Sequence, residues 1–193
     1  IFCLLTFVGF ILTESYGQTR RSIQKVWADT SALTCEDFRL SRISPDRKEI
    51  AMSYVNIAYK STKKKDTTVV KIECVFNRRS SWFSVADTTD YVLKHEQGHF
   101  DIGELCARKM RREVHRHYQK TNLSTNEYLR RVRNKYVRQL NKMQRKYDNG
   151  TKFGTLPNRQ KAWQDKIVAL LISYDEFKHS QLLFAPDGYA GSR

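Results

Sequence analysis

The sequence predicts an α+β fold: a small antiparallel sheet built on a hairpin, followed by a long helix and further helices. Three observations carry this. Val70, Ile72, Cys74 and Phe76 recur at every second position, the period of a strand with one buried face. His95, His99, Ile102 and Cys106 recur at three- and four-residue spacing, which sets them on one face of a helix. Ser124-Thr125-Asn126-Glu127 has capping-box spacing and opens a second helix.

In chain order, Ile1–Leu12 is an uncharged apolar run, the length of a signal-peptide core and too short to span a bilayer. Ser15-Tyr16-Gly17 follows with small residues suited to cleavage, so 1–17 is expected to be a signal peptide, met part-way because no Met or basic segment precedes it. Cys3 lies inside the run, where a lipid-anchored cysteine would stand at its end. Residues 18–184 are expected to form a single domain. It begins with a mixed segment that ends in the turn Ser44-Pro45-Asp46. Ile50–Tyr59 and Val69–Phe76 read as the hairpin strands, joined by a polar connection over 60–68. Ser81–Val85 reads as a short strand or edge.

The long helix is expected from a cap at Asp87 or Thr88 to about Tyr118. Its histidine face is apolar and so points inward. Gly98 in mid-helix costs about 1 kcal/mol relative to Ala, which the close approach of another group would explain. The second helix runs from near Thr125 to about Tyr147, burying Tyr128, Val132, Tyr136, Leu140 and Met143. A loop over 148–156 leads to Pro157, which can open a third helix with Trp163, Ile167, Leu170 and Leu171 on its apolar side. Residues 185–193 are expected to be a flexible tail.

Composition is that of a globular chain, 40% hydrophobic and 28% charged, with a net charge of +15. Loss of Ile1–Gly17 removes Glu14 and no base, which raises the charge to +16. Residues 108–146 hold fourteen Lys and Arg against Glu113 and Glu127. Such a block is either a pair of solvated helix faces or a surface for anionic material of the cell envelope. A nucleic-acid function rests on charge alone, since no aromatic-basic fingerprint accompanies it. Export permits disulfides. Cys35, Cys74 and Cys106 are odd in number and read as mostly buried thiols, with Cys35–Cys74 the one pair considered.

Residues 95–99 read His-Glu-Gln-Gly-His, the H-E-x-x-H pattern. On a helix the two histidines stand one turn apart and can bind one Zn²⁺. Glu96 lies beside the metal, where it can act as the catalytic base toward a bound water. A catalytic zinc takes three protein ligands and keeps a position open. Cys106 shares the face but lies about 10 Å along the axis from His99, too far for the same ion. His115 and His117 are several turns away and read as part of the basic surface. The candidates for a third ligand are Asp148, Glu176 and His179. A hairpin ahead of such a helix is also the order found in zincin-like folds, where an edge strand lines the substrate cleft.

Residues 93–108, LKHEQGHFDIGELCAR, resemble the HEQxHFDIxE string of the DUF922 family, exported bacterial proteins inferred from that motif to be zinc-dependent proteases. Leu33–Phe38, Ser81-Trp82, Tyr147-Asp148, Thr151, Gly154, Gln160 and Trp163 agree with the same family, so the resemblance covers most of residues 18–184. It implies that His95 and His99 are ligands and Glu96 the base. Asp101 and Glu104 fit the string, with a role in orienting a ligand histidine or in helix packing. The chain departs from the family at Phe153, where many members carry a histidine that would serve as a third ligand.

The function expected is an exported zinc metallopeptidase in the periplasm or outside the cell, acting on a protein or peptide. The alternative is a catalytically weak or inactive binding module on the same scaffold, whose basic helices hold anionic envelope material.

Overall fold

The computed structural model describes residues 22–30, 32–41, 50–84, 89–121, 126–185 and 188–192. The expected signal peptide, the Ser44-Pro45-Asp46 turn, the Asp87/Thr88 cap and the Ser124-Thr125 capping residues lie outside them. The chain is α+β, with two small sheets and three helices. Its strands are β1 (Gln24–Val26), β2 (Arg39–Ser41), β3 (Ala51–Met52), β4 (Val55–Lys64), β5 (Thr67–Asn77), β6 (Trp82–Ser84), β7 (Gln181–Ala185) and β8 (Gly188–Ser192). The helices are α1 (Asp90–Thr121), α2 (Asn126–Thr151) and α3 (Pro157–Ser173). Among the described residues no helix is long and apolar enough to cross a membrane.

The β4–β5 hairpin organises the larger sheet. β4 pairs antiparallel with β5 from Val55 opposite Phe76 to Lys64 opposite Thr67. Lys60, Lys63 and Lys64, expected in a connecting loop, therefore belong to the strand, and the reversal is confined to Lys65-Asp66, with Lys65 at φ 52°. Ser61 and Thr62 carry the ladder between these lysines, opposite the β-branched Val70 and Val69, while the lysine side chains stay exposed. On its other edge β5 pairs with β1 at one end and with β7 at the other, and β8 adds outside β7. Residues 188–192 are thus a strand, where the sequence reading has a flexible tail. The single strand expected over 50–59 is divided: Ala51–Met52 leaves the hairpin and pairs antiparallel with β6, which also pairs in parallel with β2.

One face of β5 carries Val70, Ile72, Cys74 and Phe76, all fully buried against α1. Full burial of such a side chain contributes about 1.5–3 kcal/mol, so the alternation on β5 fixes which way the sheet faces. From α1, Phe100, Leu105, Cys106, Met110 and Val114 fill the same core. α2 packs on α1 through Leu129, Val132, Tyr136 and Leu140, and Arg133 donates to the Ile57 carbonyl of β4 at 2.8 Å. The three cysteines described are free thiols, so no Cys35–Cys74 bond forms, and burial pushes the Cys106 thiol up to about 11.

The basic block is only partly surface. Arg108 and Arg111 are buried, and both bind Glu104. His115 is buried and faces the Phe177 ring, and His117 stacks on Tyr128 at 3.7 Å. His115 is therefore not part of an exposed basic surface as expected, while His117 is half-buried.

Candidate metal centre

Two helices make the site. The first turns of α1 supply His95, Glu96 and His99, each less than a tenth exposed. The last turn of α2 supplies Asp148, which sits inside that helix and not in a loop after it. His95 Nε2 lies 3.4 Å from Asp148 Oδ1, and His99 Nε2 lies 3.0 Å from the same oxygen. The three donor atoms fall within 4.8 Å of one another. Ligand atoms on a tetrahedral zinc with bonds of about 2.0–2.1 Å stand about 3.3–3.4 Å apart, so the spacing suits such an ion. Glu96 Oε2 is buried and has no hydrogen-bond partner among the described residues. A buried carboxylate oxygen without a donor implies a group outside the protein that supplies one, such as a water.

Electrostatics support cation binding. Burial works against the Asp148 carboxylate, but hydrogen bonds from His95 and His99 outweigh it and hold the group down to about 2. Burial opposes charge on His99, yet Asp148 and Glu96 together raise its pKa. A divalent cation would replace the proton that these groups attract, so its binding competes with protonation.

The surroundings fix these donors. Tyr147 stacks on His95 with ring centroids 4.6 Å apart and meets His99 edge-on at 5.1 Å. Its hydroxyl donates to the His95 carbonyl at 3.3 Å. A Cβ on Gly98 would stand 2.5 Å from that hydroxyl, so the mid-helix glycine makes room for the ring. Thr151 Oγ1 donates to the Tyr147 carbonyl and accepts from the Gly154 N–H. The chain then turns through three left-handed residues, Lys152, Phe153 and Gly154. A Cβ on Gly154 would come within 3.2 Å of both His95 and Gln160. Tyr91 donates its hydroxyl to the Gly154 carbonyl, and Gln160 of α3 donates to the Tyr91 carbonyl.

The site opens into a cleft of about 350 Å³. Residues 50–53, which include β3, line it together with His95, Glu96, His99 and Asp148. Ile50, Met52, Tyr91 and Phe153 stand exposed at its rim.

Of the third-ligand candidates, Asp148 joins the histidines. Glu176 and His179 do not: both are exposed, and His179 borders a separate cleft beside Arg111 and Lys178. Phe153 is half exposed at the rim. Neither acid of the motif orients a ligand histidine. Asp101 accepts from Trp27 Nε1 and Gln97 Nε2, and Glu104 binds two arginines. Sequence reasoning missed Tyr147 as a support and Gln144 as a cleft residue. The heptad-like stripe of α2, which reaches Tyr147 through Leu140, was the signal available for the first.

The fold and site therefore define an α+β protein with a His-His-Asp centre fit for a metal. Residues 76–154 match the model of a family described as bacterial protein of unknown function (DUF922), in agreement with the resemblance of the HEQGHFDIGE string. The matched segment begins in β5 and ends at Gly154, so it contains all three donors and Glu96. No curated protein and no solved structure matches the chain.

Proposed function

We propose that the protein is a zinc-dependent peptidase with a zincin-like arrangement, in which His95, His99 and Asp148 hold the metal and Glu96 is the general base. The observation that carries this reading is the convergence of both histidine Nε2 atoms on one Asp148 oxygen, beside a buried carboxylate oxygen with no partner. Bound there, zinc would supply Lewis acidity, acidifying a water and polarising a carbonyl.

Glu96 takes a proton from the water as its oxygen bonds to the peptide carbonyl carbon. The C–N bond then breaks, and Glu96 passes the proton to the departing amine, leaving a carboxylate and an amine. β3 supports a peptide as substrate. It lines the cleft and pairs, among the described residues, with β6, so an extended chain could add to it as a further strand. The apolar rim of Ile50, Met52, Tyr91 and Phe153 suits substrates with large apolar side chains near the cleaved bond. The apolar run of residues 1–12 supports export, to the periplasm or beyond the cell.

Asp148 favours this reading over an inactive binding module, because it offers the third donor that Phe153 cannot. Metal analysis of the purified protein and cleavage of a disordered protein substrate test it. Zinc should bind at micromolar concentration or below, and Glu96→Gln should retain zinc while losing about 10²–10⁴-fold in cleavage rate. A protein that binds no zinc, or one whose Glu96→Gln variant cleaves as fast as the parent, would defeat the proposal.

A further inference from the structure

The outer face of α2 is a stripe of positive charge. At 100° per residue, Arg131, Lys135, Arg138, Lys142 and Arg145 fall within roughly 80° of arc along about 21 Å of helix. All five are exposed. Lys135 pairs with Glu113, and Arg131 lies over the Tyr128 ring. Among the described residues no acidic side chain pairs with Arg131, Arg138, Lys142 or Arg145. An ordinary solvated helix face intersperses acids four residues from its bases. Here the only acid within α2 besides Asp148 is Glu127, at its start.

The stripe is rigid. Leu129, Val132, Tyr136 and Leu140 hold the opposite side of α2 in the core, so the cations share one fixed plane. The exposed positions of α2 carry no aromatic side chain among the described residues, whereas single-stranded nucleic acid is gripped by aromatics interleaved with bases. A convex, single-sign helix face on a chain of net charge +15 complements an extended negative plane.

We propose that the outer face of α2 is a docking surface for an anionic lipid bilayer. Gln144 and Asp148 lie one turn apart on the flank of the same helix, beside Asn141 and Arg145. Asp148 and Gln144 lie about 100° and 140° round the helix from the midline of the stripe, so docking through the stripe leaves the cleft open to water. The inference stands on charge and placement and is independent of catalysis.

The test is sedimentation of the full chain with vesicles of phosphatidylcholine, with and without phosphatidylglycerol, in physiological salt. Binding should require phosphatidylglycerol, weaken as salt rises, and fall by about tenfold or more in the triple variant Arg138→Glu, Lys142→Glu, Arg145→Glu. Circular dichroism checks that the variant is folded; single charge reversals at each position give graded losses if it is not. Equal binding to neutral and anionic vesicles would assign membrane affinity to the apolar residues 1–12 and overturn the proposal. So would absence of binding to anionic vesicles, or their displacement by a DNA oligonucleotide at equal phosphate concentration.

Discussion

A single added methyl group at residue 98 would press on the ring that supports His95. The new Cβ would meet Tyr147 Oη at 2.5 Å, and Tyr147 is fully buried against Trp163 and both histidines. Overpacking of this kind costs about 1–3 kcal/mol, while Ala gains about 1 kcal/mol of helix propensity over Gly. The net loss of stability in Gly98→Ala is thus at most about 2 kcal/mol, and the larger effect falls on the metal. Zinc affinity should drop by about 10–100-fold, as it does when a group that orients a ligand is disturbed. Competition with a chromophoric chelator measures this, and unchanged affinity would show that Tyr147 does not position His95. Asp148→Ala removes a donor outright, so its loss of affinity should equal or exceed about 100-fold. The same variant should leave His99 easier to deprotonate, since Asp148 is a main cause of its raised pKa. NMR titration of the metal-free protein reads that shift directly.

At the scale of elements, local pattern was legible and pairing was not. The alternation on β5, the inward face of α1, and the start of α3 at Pro157 all follow from spacing within one segment. The division of residues 50–59 between two sheets does not, because the β3–β6 pairing joins residues about thirty apart and leaves no local mark. The same holds at the C-terminal end, where β7 pairs with β5 and β8 pairs with β7, so that the polar tail becomes a sheet edge. Asp37 shows how such distant segments are tied. It is buried, and accepts from Lys25 Nζ of β1 at 2.7 Å, the Thr34 N–H at 2.9 Å, and Arg78 after β5 at 2.8 Å. Burial alone would raise its pKa, but these donors outweigh burial and hold it below the ordinary 3.8. Ionised Asp37 therefore stabilises the fold at neutral pH, and that contribution is lost as pH falls from 3.8 through the lower folded value. Asp37→Asn should lower stability at pH 7 and flatten its dependence below pH 4, as read by urea unfolding across about pH 2–7. A parallel pH profile in the variant would remove Asp37 from this role.

For the whole molecule, the ten residues HEQGHFDIGE join the site to the fold. Gln97 accepts from the Leu33 N–H and donates to Asp101, which also accepts from Trp27, so one face of α1 gathers the N-terminal segment. Phe100 and Ile102 enter the core, and the candidate metal donors His95 and His99 precede them on the same helix. That a third donor would come from Asp148 was legible only as one of three candidates, because residues 99 and 148 meet through the packing of α1 on α2. Glu104 is the far anchor of the string. It accepts from Arg108 Nε at 3.0 Å and from Arg111 at 2.8 and 3.2 Å, with all three side chains buried. Arg108 reaches on to the Leu171 carbonyl of α3, and Arg111 reaches the Ile72 carbonyl of β5 and the Phe177 carbonyl after α3. Three layers thus converge on one carboxylate. Removing it leaves buried Arg111 without a carboxylate partner and Arg108 with only its longer contacts to the exposed Asp29 and Asp175, at 3.5 and 3.7 Å; a buried pair broken from one side costs about 3–5 kcal/mol. Such a loss is a large part of the stability of a domain this size. Glu104→Ala should therefore unfold at much lower urea concentration or fail to accumulate as a folded protein. Glu104→Gln keeps the shape and part of the hydrogen bonding, and so should fall between the two. Because Glu104 touches no metal donor, whatever fraction of Glu104→Gln is folded should bind zinc with parental affinity. Weakened zinc binding by that folded fraction would instead place Glu104 in the support of the metal centre.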